Sequence, residues 1–180
     1  VPLTRAPINC PGETTRRRLR SLAVLELLNI PLHGWLWFGA IGLPPTAVNI
    51  SGFAAFAVLL VVGAVYWALK LRQLRRREPH LPGRRQFAAV RAVLPVVLAV
   101  VLIVCVIAVA REPGAASWPG LAFAFFGALE YVNYFHVQLM HDNRADLRRL
   151  GTVGFRRAHL SRDLRSVTAA DRQVRRATAG

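Results

Sequence analysis

Two sets of polar residues stand inside apolar runs of this chain. Glu26, Asn29 and His33 fall within residues 22–43. Glu130, Asn133, Tyr134 and His136 fall within residues 120–141, a run that closes on His141. Ionisable groups at bilayer depth are costly and by default mark a site. Glu26, Asn29 and His33 share one face of a helix, and Glu130, Asn133, Tyr134 and His141 share one face of another, with His136 at its edge. If the two helices run antiparallel, a rise of about 1.5 Å per residue sets His33 level with Glu130, Asn29 with Asn133, and Glu26 with His136. Each carboxyl then meets an imidazole, with an amide pair between.

Such a ladder suits three kinds of chemistry. As polar glue it holds two helices in register, at about 0.6–2 kcal/mol per hydrogen bond. As a proton or ion path it passes charge between Glu26, Glu130 and the imidazoles. As a metal site it offers one Glu and one His from each helix, although the Glu-x-x-His spacing of carboxylate-bridged bundles is absent. A bis-histidine haem fits worse, because His33 and His136 differ in depth by about 10 Å. No Walker loop, Gly-x-Ser-x-Gly, His-Glu-x-x-His or Cys-x-x-Cys occurs. The expectation is a structural or partner-binding membrane subunit with no resident cofactor or metal. A small proton- or ion-coupled transporter is the alternative, and a metal-binding protein or enzyme the second.

The elements that must hold these residues are membrane helices. The chain of 180 residues is 54% hydrophobic with mean hydropathy +0.35, and its apolar blocks are separated by short basic stretches. That is the composition of a membrane protein. The expected spans are 22–43, 50–71, 87–110 and 120–141. Pro31 and Pro95 should kink the first and third, and the carbonyl that Pro31 frees is tolerated in a bundle where neighbours re-satisfy it. The second span has no ionisable residue over 53–69 and reads as the plainest lipid-facing helix. Residues 1–20 read as a disordered basic arm with no cleavable signal peptide, 21–142 as the bundle, and 143–180 as a basic tail. Cys10 and Cys105 lie too far apart in character to imply a disulfide.

A net charge of +15 raises the question of nucleic acid. The charge sits in three clusters between apolar blocks, where topology explains it. Apart from Arg111, every Arg and Lys lies in the N-terminal arm, the middle loop with Arg91, or the C-terminal tail. Four crossings with both termini inside put all three on the cytoplasmic face. Arg16, Arg17, Arg18, Arg75, Arg76, Arg77, Arg156 and Arg157 are then placed to meet anionic headgroups. In the tail, Leu160, Leu164 and Val167 recur at helical spacing among arginines, as in a helix lying on the lipid surface. Gly120, Ala124 and Ala128 form a small-residue ladder that would let a second copy or another membrane protein approach.

Of the 24 basic residues, 23 are Arg, a bias that suggests a GC-rich bacterial genome. The run from Leu129 to Leu139, with Arg144, Ala145, Asp146 and Leu147 after it, resembles multi-pass inner-membrane proteins of high-GC bacteria that have no assigned activity. The early stretch from Glu26 to His33 is similar in kind. The resemblance implies the four spans and brings no chemistry with it. The motifs of small multidrug transporters, rhomboid proteases and TspO-like proteins are not seen. The fold expected is thus all-α: four transmembrane helices in an antiparallel bundle, with a basic amphipathic C-terminal helical tail, in the bacterial inner membrane.

Overall fold

The structure, a computed structural model, describes residues 11–136 and Leu160. Its described elements are all helical: α1 (Pro11–Gly34), a π-helical turn (Trp35–Ala40), α2 (Ala47–Arg76), α3 (Arg84–Arg111) and α4 (Trp118–Phe135). Three stretches, Gly12–Ala40, Ala47–Arg76 and Arg84–Arg111, are long and apolar enough to cross a membrane. At about 1.5 Å per residue, each exceeds the roughly 30 Å of hydrocarbon it would have to span. α4 is shorter, at 18 residues.

α1 starts earlier than expected. Pro11 opens it, at a position where a missing N–H costs nothing. Glu13 and Arg17 form an ion pair at 2.7 Å one turn apart. Residues 11–20 are therefore helix and not part of a disordered arm. α1 continues unbroken through Pro31, and its irregular turn lies further on, over Trp35–Ala40. There the Ile41 N–H reaches back to Leu36 O at 2.9 Å.

The inward face of α1 is Leu19, Leu22, Ala23, Glu26, Asn29, Ile30, His33, Gly34, Trp37 and Phe38, at steps of three and four. Its outward face is Val24, Leu25, Leu27, Leu28 and Leu32, each about half exposed. Polar residues inside and aliphatic residues outside invert the order of a water-soluble bundle. They suit a helix whose solvent is lipid.

α2 is the centre of the molecule. It buries Asn49, Gly52, Ala55, Leu59, Leu60, Gly63, Ala64 and Tyr66, again at steps of three and four. The expectation of a plain lipid-facing helix is thus corrected. An absence of charge does not separate a helix buried in protein from one bathed in lipid, since both surroundings are apolar. The lipid-like exterior belongs more to α3, where Val93, Val96, Val97, Val100, Ile103, Val104, Val106 and Ile107 are exposed. α3 buries a narrow seam of Phe87, Leu94, Leu98 and Cys105.

Glycines set the spacing between α2 and α4. A Cβ on Gly52 would overlap the Gly120 carbonyl, one on Gly127 would touch the backbone of Phe56, and one on Gly63 would overlap the Tyr134 hydroxyl. These meetings advance along both helices in the same direction, so α2 and α4 run parallel. α1 runs opposite to α2, with Phe38 against Phe53 and His33 against Phe56.

Pro95 leaves the carbonyl of Arg91, four residues earlier, without its helical donor. The Tyr131 hydroxyl of α4 donates to that carbonyl at 3.0 Å. A freed backbone acceptor is thereby satisfied across the α3–α4 interface, as a low-dielectric surrounding requires.

Candidate functional site

Glu26 and Tyr134 form the polar link between α1 and α4. The Tyr134 hydroxyl donates to Glu26 Oε1. Gly63 of α2 makes room for it, since any side chain there would occupy the hydroxyl's position. Tyr134 is 5% exposed, and Glu26 and Glu130 are half-buried. Glu130 is close enough for its charge to act on both Glu26 and Tyr134. Asn133 Nδ2 donates to Glu130 Oε2 at 3.4 Å, a weak contact within α4. The result is a Glu26–Tyr134 hydrogen bond between two helices, with the Glu130 carboxyl four residues before Tyr134 on α4.

The expected rungs do not form. Glu26 meets Tyr134 and not His136. His33 does not meet Glu130: its Nδ1 donates to Asn29 O at 2.8 Å, and its ring lies edge-on to Phe56 at 5.6 Å. No hydrogen bond joins Asn29 to Asn133. His136 is exposed beyond the end of α4, and its Nε2 lies 3.4 Å from the Tyr131 hydroxyl. The register of α1 on α4 is displaced by two to three residues from the one expected. Depth counted from the ends of apolar runs assumes that those ends lie flush. Here the register of α4 comes from glycine contacts to α2, and α1 follows it through Glu26–Tyr134 and Trp37–Phe123.

On the side of the cluster toward the α1–α2 connection lies a group of rings: Trp37, Phe38, Phe53, Phe56 and Phe123. Their centroids are 5.2–6.5 Å apart in successive pairs. Beyond the rings is a second polar centre that the sequence reading did not single out. Asn49 is fully buried. Its Nδ2 donates to Pro44 O and to Ala115 O, both at 2.9 Å, and its Oδ1 accepts from Gly120 N–H at 2.8 Å. Thr46 caps α2 by accepting from Asn49 N–H and donates to Ala116 O at 2.7 Å. These bonds tie the α1–α2 connection to the α3–α4 connection. The one available signal was a carboxamide in the first turn of an apolar helix, and a cap or turn residue reads the same way.

At the opposite end of the molecule the structure gathers most of the described arginines, Arg111 excepted. Arg16, Arg17, Arg18 and Arg20 lie in the first turns of α1, Arg72, Arg75, Arg76 and Arg77 at the end of α2, and Arg84 and Arg85 at the start of α3. Arg77 takes a left-handed conformation at φ 53°, which ends α2 and turns the chain. His141, Arg156 and Arg157 lie outside the described residues, as do Cys10 and the rest of the expected 120–141 span beyond His136. Leu160 is described: it is 1% exposed and belongs to the core cluster with Tyr66, Leu81, Phe87, Tyr134 and Phe135. Its side chain is thus covered by protein.

Among the described residues no three His, Cys, Asp or Glu side chains gather as metal ligands. Comparison of the chain with protein families, curated proteins and solved structures returns no match. The site is therefore read from its own geometry: a carboxyl of α1 bonded to a tyrosine of α4, a second carboxyl one turn before that tyrosine, and packed rings between them and one end of the molecule.

Proposed function

We propose that the protein is a four-span integral membrane protein of the bacterial inner membrane whose Glu26–Tyr134–Glu130 cluster binds and releases a proton. In this reading α1–α4 form an antiparallel bundle. Both termini and the tail after residue 142 are cytoplasmic, and the gathered arginines face anionic headgroups there. The charge distribution supports that orientation, since the end bearing Arg16–Arg18, Arg75–Arg77, Arg84 and Arg85 is the basic one. The parallel course of α4 along α2 supports a fourth crossing, because second and fourth spans must run the same way.

One observation carries the proton reading: Glu26 of α1 and Glu130 of α4 are both half-buried and near enough for one charge to act on the other, with no cationic partner among the described residues. Two like charges with no countercharge between them disfavour the doubly ionised state. A proton, taken up by one carboxyl and exchanged with the other through Tyr134, removes that repulsion. The ring cluster blocks the outward side, so the proton enters from the basic end. Structural glue is the competing reading, and it needs no change of protonation.

Infrared titration of the purified protein separates the two. The expected result is a carboxylic acid band that titrates in the wild type and is lost or altered in Glu130→Gln. That variant should stay folded, with stability within about 1 kcal/mol of the parent. A band that does not titrate, or one unchanged by Glu130→Gln, overturns the proton reading in favour of glue.

A further inference from the structure

α1 is held differently from its neighbours. α2, α3 and α4 each bury a seam of residues along their length. In α1 only Leu19 is buried among the described residues, and from Ser21 to Ala40 every residue is at least partly exposed. The helix leans on α2, where the His33 ring meets Phe56, and Tyr134 reaches it from α4 to bond Glu26. At its C-terminal end it passes into the π-helical turn Trp35–Ala40, where the Ile41 N–H bonds back to Leu36 O and the Leu43 N–H to Trp37 O. Trp37 and Phe38 of that turn pack on Phe123 and Phe53. Just beyond it Gly42 takes φ 75°, and Pro44 O is fixed by the Asn49 side chain. A hinge is a few residues at the end of an element that absorb a change in backbone angles. A widened helical turn with a glycine behind it, next to an anchored proline, supplies them.

We infer that α1 is a gate: it pivots at Trp35–Ala40, and the hydrogen bond from Tyr134 to Glu26 is the latch that holds it against α4. Glu26 lies roughly 13 Å along the helix axis from Trp35. A small turn at the pivot therefore parts Glu26 from Tyr134 while the ring contacts of Trp37 and Phe38 persist. The opening is widest at the basic end. It takes the acceptor from the Tyr134 hydroxyl and uncovers the space at Gly63 in which that hydroxyl sits. The basic end is the side from which the proton reading requires entry, so the purpose of the gate rests on that reading. Its pivot and latch do not. One hydrogen bond between membrane helices shifts a two-state balance by roughly 3- to 30-fold, enough to favour the closed state and small enough to be undone.

The gate is tested by distances between paired spin labels on the full chain in lipid bilayers. The background carries Cys10→Ser and Cys105→Ala. One pair, Leu25→Cys with Val132→Cys, spans α1 and α4 on the basic side of the pivot, and both parent residues are exposed. The other, Ala40→Cys with Ala122→Cys, spans the π-helical turn and α4 at the pivot itself, again at exposed positions. Tyr134→Phe should raise the population of a longer distance in the first pair roughly 3- to 30-fold and leave the second pair unchanged. Glu26→Leu, which removes the same bond from the other helix, should do likewise. An unchanged first pair in either variant overturns the latch. Equal lengthening of both pairs overturns the pivot, because the helix then moves as a whole. Label distances do not report protonation, so the gate and the proton reading can fail independently.

Discussion

The two polar centres of the bundle differ in what their partners are. At the connecting loops, Asn49 and Thr46 bond to main-chain atoms: Pro44 O, Ala115 O, Ala116 O and the N–H of Gly120. In the basic half, Glu26, Tyr134, Glu130 and Asn133 bond to one another's side chains. Main-chain carbonyls and amides keep their protonation at any physiological pH, so a centre built on them is a fixture. Carboxyls change theirs, so a centre built on them can switch. The same division runs along α4 itself. Tyr131 gives its proton to the carbonyl that Pro95 leaves without a helical donor, and Tyr134, one turn on, gives its own to Glu26.

Removing the fixture should have the largest effect. Asn49→Ala leaves two carbonyls and one amide unpaired in a buried position, which should destabilise the protein by about 3 kcal/mol in a detergent unfolding titration. A loss under about 1 kcal/mol would remove the distinction between the two centres. Gly52→Ala comes next, at about 2–3 kcal/mol, because its Cβ meets the Gly120 carbonyl and neither backbone can yield cheaply. The two tyrosines sharpen the contrast most finely. Tyr131→Phe orphans the Arg91 carbonyl and should cost about 1–2 kcal/mol. Tyr134→Phe should cost no more than about 1 kcal/mol yet alter the titration of the carboxyl band. If Tyr131→Phe moves that band as much as Tyr134→Phe does, the two halves are not separate.

What is legible in the sequence is what the physics keeps local. The face on which Glu26 or Tyr134 lies follows from spacing, because a helical repeat depends only on spacing, and the hydrogen bond between them is a tertiary fact. For Pro95 the sequence reading expected only a kink, and nothing in the spacing identified Tyr131 as the donor to the freed acceptor. It misplaced the rungs, because axial register between two helices is set by their contacts with a third. Gly52, Gly63, Gly120 and Gly127 decide that register, and a glycine in a sequence does not announce which neighbour it admits. The importance of α2 was missed for a related reason. Helices that face lipid and helices that face other helices draw on the same apolar residues, so Leu59 and Val58 are alike until one is found buried and the other exposed.

By itself the sequence determined that the described chain is helical with apolar helices of membrane-crossing length, and that its basic residues, Arg111 excepted, fall in three clusters between or beside the apolar runs. It determined too that carboxyls and amides interrupt those helices on definite faces. These follow from composition and from a period of 3.6 residues, which each segment carries alone. Only the tertiary structure decided that Glu26 meets Tyr134, that Asn49 ties the two connections together, and that Leu160 returns to the core. Each of those depends on how separate segments approach one another, and between α2 and α4 that distance is set by Gly52, Gly120 and Gly127 packed against backbone.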